Sequence, residues 1–414
     1  MAHGPESAAG GYGEWRPGSI RGAAGFYQVA QTPGGQWWLL DPEGRRCFAR
    51  IVHGVSTPAP DTPFARDPAV RLREWGFNAV GLDGDGAGRE DGLASIEAVG
   101  FVRLGGAIHV SGVRLPDVFA PDWPQQAATH AAAVCGPCAA HRELIGWVAD
   151  EDVTWGSPPA ADRPGLLQIC LSLEPAFAAY HAAWEFALAL HGGALASLAR
   201  AWGVLLPNKE TLREMTRGDA GITTRGYVRD DARWSAEFAR RYFSTTSAAI
   251  RAADPNHLCL GCRFRPLASP AVFEAAAYPS VDVVLIPWNS LPPAGAPTGP
   301  ILADDVAWAG EAFAGPADAA GAAAAGARSR RLRLTSVERM LRRGRTLLQR
   351  LARHPAVVGY AWRQWLDEPA EQPPFARGLV HPNGAEAREH TDLLSDFNLR
   401  VENLRRSAAR QLSP

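Results

Sequence analysis

Short acidic clusters close three apolar runs of the chain: Asp83 follows FNAVGL, Asp150-Glu151-Asp152 follows LIGWVA, and Asp304-Asp305 follows PILA. Two carboxyl groups facing each other across a cavity can divide general acid and general base work, the arrangement that cleavage of a glycosidic bond requires. An acidic residue after a strand is also a common helix cap or solvated loop residue, so position has to discriminate. Aromatic residues fall near the same run ends, at Trp155, Trp288, Trp362 and Trp365. Their flat faces suit the apolar side of a sugar ring or another rigid ligand, and the indole N–H adds one donor. Several of the 14 tryptophans are expected in the core instead. His53, Arg263, Asn289 and Gln364 end the first, fifth, sixth and eighth runs, where they could orient hydroxyl or carboxylate groups of a ligand. A histidine at such a place is equally well explained as a buried, hydrogen-bonded side chain.

Other chemistries have weaker signals. Cys135 with Cys138 and Cys259 with Cys262 form two C-x-x-C pairs, but the second pair lies three apart on an expected strand, so its thiols point to opposite faces. DGDGAGREDG from Asp83 opens like a calcium loop yet has Ala94 where the bidentate Glu should stand. H-E-x-x-H, G-x-S-x-G and G-x-x-x-x-G-K-[ST] are absent, so no metal and no cofactor is expected. Lys209, the single lysine, sits in LLPNKETL, which reads as a helix start more than as a Schiff-base site.

These groups need a frame that brings run ends together. GFYQVAQTPGGQWWLLDPEGRRCFARIVHGVS contains turn signals at Pro33-Gly34-Gly35 and Asp41-Pro42-Glu43-Gly44, which predict an N-terminal β-hairpin leading into a buried strand. Strand-like runs then start at Cys47, Phe77, Phe101, Leu144, His257, Val281, Pro300 and Ala356, separated by helical stretches such as WSAEFARRYFSTTSAAIRAADP. Eight runs alternating with helices predict a (β/α)8 TIM barrel of the α/β class, with catalytic groups at the C-terminal ends of the strands. A doubly wound sheet is the competing frame, and no Gly-rich phosphate fingerprint follows any strand. The expected organisation is a tail over residues 1–22, one barrel domain over 23–405 with a helical insertion at about 156–232, and a C-terminal tail over 406–414. Arg328, Arg330, Arg331, Arg333, Arg342 and Arg343 are read as a loop and a solvated helix in preference to a phosphate or nucleic-acid patch.

Composition narrows the partners. With 42 Lys plus Arg against 43 Asp plus Glu the formal net charge is −1, which argues against a nucleic-acid binder. No stretch approaches the roughly 20 apolar residues of a membrane span, and MAHGPESAAGGYGEW lacks a basic region followed by an apolar one. A cytoplasmic location, reduced thiols, no membrane contact and a small-molecule ligand are the expectations.

The motifs together resemble clan A glycoside hydrolases, in particular β-agarase-like and bacterial β-galactosidase-like barrels, over most of residues 25 to 400. QWWLLDPEGRRCF looks like their entry hairpin, LREWGFNAVGLD their second strand, and PDVFAP with ELIGWVADEDVTWG their approach to the acid/base strand. HGGALASLARAWG resembles part of their long insertion, AIRAADPNHLCLGCRF their fifth strand, and HPAVVGYAWRQWLDEP their eighth. The resemblance implies an acid/base carboxylate on the fourth strand and a nucleophile on the seventh, and Arg263 lies in a matching Gly-x-Arg-Phe pattern. It also implies departures. An ungapped match at Gly146 and Trp155 puts Glu151 on the family's Asn and Asp152 on its acid/base Glu, while Asp305 occupies the position of the nucleophilic Glu. A one-residue shift would make Glu151 the acid/base.

The leading expectation is therefore an enzyme using Asp152 and Asp305, with Glu151 beside them, on a glycoside or a hydroxyl-rich small molecule. The alternatives are a diverged barrel that catalyses a cyclisation or dehydration in small-molecule biosynthesis, and a catalytically silent sugar-binding protein. Shorter carboxylate side chains also predict a wider gap between the pair, in the range of inverting enzymes.

Overall fold

The computed structural model describes residues 15–309 and 337–412, apart from positions 60, 90, 105, 111, 152, 157, 265–267, 295, 297–298, 370 and 372–374. Asp152, the segment with Arg328 to Arg333, and residues 1–14 of the expected tail lie outside the described residues. Arg16 and Arg21 donate backbone N–H groups to Gln31 and Val29, so contact with the N-terminal sheet begins well before residue 23. That sheet pairs Gln28–Gln31, Trp37–Leu40 and Arg46–Cys47 antiparallel, through the turns that the Gly and Pro residues require.

Eight parallel strands follow: Ala49–Val52, Ala79–Val80, Ala94–Ala98, Leu144–Val148, Leu258–Cys259, Val284–Pro287, Ile301–Val306 and Val357–Trp362. The sixth strand returns to the fifth where the Asp282 N–H meets the Cys259 carbonyl at 2.8 Å. Seven of the eight expected runs coincide with barrel strands. The third does not: the strand is Ala94–Ala98, and Phe101–Arg103 is a 3-10 turn after Gly100 at φ +85°. Ser95 and Glu97 make the true strand look polar, whereas Phe101 and Val102 are apolar because they are buried, not because they extend. Val102 nonetheless serves the mouth, since its N–H donates to Asp150 Oδ1 at 2.8 Å.

The insertion builds a second apolar core. Helices Leu166–Leu171, Ala178–Leu190, Leu195–Trp202 and Lys209–Arg217 precede the 29-residue helix Arg225–Ala253, which leads into the fifth strand. Trp184, Trp202, Tyr227, Trp234 and Phe238 are buried there against the helix Trp123–Cys135 and the fourth strand. Lys209 opens its helix behind the Asn208 cap and lies 4.4 Å from the Trp184 ring, so it packs on an aromatic face. The last helix, Arg388–Leu412, continues through the expected C-terminal tail and closes the barrel floor; the buried Arg405 donates to the carbonyls of Trp37, Ala352 and His354.

All six cysteines are unpaired thiols, and among the described residues no group of three or more His, Cys, Asp or Glu is placed to hold a metal. The acidic turn after Asp83 is closed instead by Asp85, which accepts N–H groups from Thr57 and Ala87.

Two strands approach so closely that one needs glycine. A Cβ on Gly359, in the eighth strand, would lie 2.4 Å from the Ala49 Cβ and 2.7 Å from its carbonyl oxygen in the first. Gly359→Ala should therefore force the strands apart and lower stability by about 1–3 kcal/mol, read as an earlier urea midpoint. An unchanged midpoint would refute this account of strand spacing.

Candidate active site

Arg263 is the hub of the barrel mouth. The fifth strand extends beyond Cys259 through Gly261 at φ +71°, and the Arg263 N–H then bonds the Asp150 carbonyl at 2.9 Å. This backbone bond sets the end of the fifth strand beside that of the fourth. The Arg263 side chain is fully buried and meets three carboxylates, each at 2.9 Å: Nε bonds Asp304, one terminal nitrogen bonds Asp83, and the other bonds Asp305. The second, fifth and seventh strand ends are thereby joined by one planar cation, whose fork of donors suits several carboxylates at once.

His53, from the first strand, braces this hub from below. Its Nδ1 accepts the Leu82 N–H at 3.0 Å, which leaves the ring proton on Nε2, donating to Asp304 at 2.8 Å. The ring fits because position 81 is glycine, whose Cβ would lie 2.3 Å from the His53 Nδ1. At 1% exposure His53 reaches no ligand, so the expectation that it binds substrate is corrected to one of bracing Asp304.

The carboxyl groups divide electrostatically. Burial opposes ionisation of Asp304, but Arg263 and the His53 hydrogen bond outweigh it and hold this acid far below the usual carboxylate range. Burial, followed by the negative charge of Asp304, pushes its neighbour Asp305 up to about 6 despite Arg263 and Arg363. Asp83 is more exposed; burial again works against its charge, and Arg263 brings it below its ordinary value. Asp83 and Asp305 have φ of +65° and +51°. Such left-handed backbone costs about 1–3 kcal/mol at a non-glycine residue and persists only where the surroundings impose it. Here Arg263 grips both side chains.

Glu151 enters just after the fourth strand, 3.7 Å from Arg103 and close enough to Asp83 to help lower its pKa. Asp150 points away from the mouth, fully buried on Val102 N–H and the Tyr242 hydroxyl, so it anchors the strand end. The structure thus brings Glu151, Asp83, Arg263 and Asp305 together. Arg363, 3.6 Å from Asp305, and Asp304 also belong to the cluster, and sequence reasoning did not single them out as site residues. The signals available were the acidic pair Asp304-Asp305 at a run end and Arg363 directly after the eighth strand.

The tryptophans separate into two groups. Trp155, Trp362 and Trp365 are at most 4% exposed, against Phe243 and Tyr242, against Trp308, and against Trp75 respectively. They have no free face, so the expectation of ligand platforms is corrected to packing beneath the mouth. Trp288 is half-buried in the turn after the sixth strand, and Asn289 beside it is exposed. Gln364 is half-buried next to Gly54, with its amide 3.5 Å from Glu368.

No family model matches the chain. An alignment over 238 residues, covering 53% of the chain, is 26% identical to Beta-agarase A of Vibrio sp. (strain JT0107) and spans 23% of that agarase. Among solved structures, an agarase, AgWH50C, superposes with a TM-score of 0.68 at 19% identity, covering 96% of this chain and 68% of its own. BpGH50 superposes with a TM-score of 0.67 at 18% identity, covering 96% of this chain and 86% of its own. The fold is therefore shared with these solved structures, and about half of the chain is distantly similar in sequence to under a quarter of Beta-agarase A.

Proposed function

We propose that the chain is a glycoside-hydrolase-like enzyme that uses the carboxyl groups of the fourth and seventh strand ends for acid/base chemistry on a glycoside or another hydroxyl-rich small molecule. The observation that carries this reading is the Arg263 cluster, in which Asp305 shares one buried guanidinium with Asp83 and Asp304. A carboxyl that titrates at about 6 can give a proton to a leaving oxygen or take one from water near neutral pH. Glu151 and Asp152 are the fourth-strand candidates for the complementary role, and the Glu151–Asp83 contact couples one of them to the hub. Because the matched curated relative is an agarase, an agar-derived galactoside is the first ligand class to test, although the match spans under a quarter of that protein.

A non-hydrolytic proton transfer, such as a dehydration or cyclisation, is the second reading, and one observation favours it. Asp305 is bound to a guanidinium at 2.9 Å and is raised towards neutrality, which suits a proton carrier better than a nucleophile that must be charged and unencumbered. No described helix is long and apolar enough to cross a membrane.

Asp305→Ala and Asp152→Ala should each lower turnover at least about a hundredfold, while melting curves confirm folding. Glu151→Gln should shift the pH–rate profile; an unshifted profile would assign Glu151 to structure alone. Near wild-type rates in both Asp variants would remove the carboxylate assignment.

Asp305 also links stability to pH. Its folded-state value lies above the unfolded one, so the folded state holds the proton more tightly. The associated stability is complete below about pH 4 and is lost as pH rises through about 6. Urea unfolding at pH 4.5 to 7 should show a shallower decline for Asp305→Asn than for wild type, and parallel curves would contradict the elevated value.

With Asp152 and Asp305 as the working pair, the shorter side chains would hold the carboxyl groups further apart than two glutamates, favouring an intervening water over direct attack. A fluorinated glycoside should leave no stable covalent adduct on intact-mass analysis. An adduct on Asp305 would establish a nucleophile and a retaining mechanism.

A further inference from the structure

The segment after the eighth strand carries charges of alternating sign. The Arg363 N–H donates to the Val306 carbonyl at 3.0 Å, which fixes this residue beside the end of the seventh strand. Its guanidinium lies between two carboxylates and is tightly bound to neither: Nη1 is 3.6 Å from Asp305 Oδ1, and Nη2 is 3.5 Å from Glu368 Oε1. Both distances exceed the roughly 2.7–2.9 Å of a strong charge-assisted hydrogen bond. The Arg363 Nε is buried and has no hydrogen-bond partner among the described residues.

Glu368 is held far more firmly from its other side. Its Oε2 is 2.5 Å from a terminal nitrogen of Arg377, whose Nε lies 2.8 Å from the buried Glu371. The Arg377 backbone is also tied in, since its N–H donates to Glu371 and its carbonyl accepts the Trp362 indole N–H at 3.1 Å. Asp367, another acid of the segment, is taken up by the Gly378 N–H and by His381 at 2.6 Å. A charge chain thus runs from Asp305 through Arg363, Glu368 and Arg377 to Glu371.

The other charges around Asp305 are fixed. Arg263 from the fifth strand bonds the same Oδ1 at 2.9 Å, and Asp304 is adjacent on the seventh. His53 and Asp83, from the first and second strands, are bound to Asp304 and Arg263, and Glu151 after the fourth strand stands beside Asp83. Asp305 owes its value of about 6 to burial and Asp304, and both guanidinium groups work against it. Arg263 has three short bonds, so of the two cations Arg363 is the one with distance left to close. Closure would favour the charged carboxylate and strip it of its proton near neutral pH.

We propose that Glu368 is a positioning residue for the Asp305 carboxyl: anchored on Arg377, it retains the Arg363 guanidinium between the two acids and keeps it from closing into an ion pair with Asp305. The assignment rests on the reading of Asp305 as the proton-carrying acid of the mouth.

Carbon-13 NMR of the full chain, labelled at its aspartate carboxyl carbons, reads the Asp305 titration directly; its resonance is the one missing from Asp305→Asn. Glu368→Gln should lower the Asp305 midpoint by about one pH unit or more, because the released guanidinium turns to the remaining carboxylate. Arg363→Gln should raise the midpoint, and adding Glu368→Gln to it should cause less than half the shift that Glu368→Gln causes alone. Should Glu368→Gln fail to fold, Glu368→Asp replaces it with the same expected sign: a side chain shorter by about 1.5 Å keeps its Arg377 partner and loses Arg363. A midpoint unchanged or raised by the Glu368 variant would overturn the proposal. Equal shifts with and without Arg363 would also overturn it, by reducing Glu368 to a distant charge. The titration needs no substrate, so a chain that shows these shifts but turns over no glycoside would refute the hydrolase reading and leave the positioning role standing.

Discussion

A single buried guanidinium organises the mouth of this barrel. Arg263 has no access to water, and its stability in that position depends on Asp83, Asp304 and Asp305. Removing one partner of such a buried assembly characteristically costs about 3–5 kcal/mol, because the remaining charge is left uncompensated. The converse also holds: the carboxylates tolerate one another at close range only because the cation lies between them. With three acids around one arginine and Arg363 further off, the cluster has an excess of negative charge, and the structure resolves it by keeping Asp304 ionised and making Asp305 reluctant to ionise.

That asymmetry is produced by backbone as much as by side chains. Asp304 and Asp305 are adjacent, so strand alternation sends them in different directions: one into the barrel towards His53, the other towards the rim. The shift in register between Ala303 and Val306, together with the left-handed φ of Asp305, turns the second carboxylate back onto Arg263. Asp83 shows the same device on the second strand. Its αL backbone is accessible to aspartate at lower cost than to glutamate or a branched residue, since a short polar side chain can bond locally. The two strained aspartates therefore stand where a rigid frame supplies enough contacts to hold them.

The frame extends beyond the eight strands. The long helix Arg225–Ala253 carries Tyr242 to Asp150 and packs Phe243 on Trp155, so the fourth strand end, with Glu151, is positioned by residues of the insertion-bearing side of the molecule. On the opposite side, Trp308 and Gly344 bring helix Val337–Arg353 close to the seventh strand.

Much of the frame was legible in the residues themselves. Apolar runs bounded by turn signals, alternating with amphipathic stretches, specify parallel strands covered by helices, and the missing Gly-rich phosphate fingerprint favoured the barrel over a doubly wound sheet. Acidic residues at run ends likewise indicated Glu151, Asp83 and Asp305, and Arg263 stood in a recognisable pattern. The third strand was misplaced because its burial is shared between polar Ser95 and Glu97 and apolar Ile96, while the stronger apolar signal at Phe101 belongs to a turn. Composition could not tell Trp288, on the rim, from Trp362, entirely buried, since both follow strands and differ only in what packs over them. Nor could it show that His53 faces inward onto Asp304, that Asp305 shares its cation with Asp83, or that Arg363 joins them. Those facts depend on contacts between residues as much as 251 positions apart, which exist only once the barrel has closed and its strand ends share one mouth.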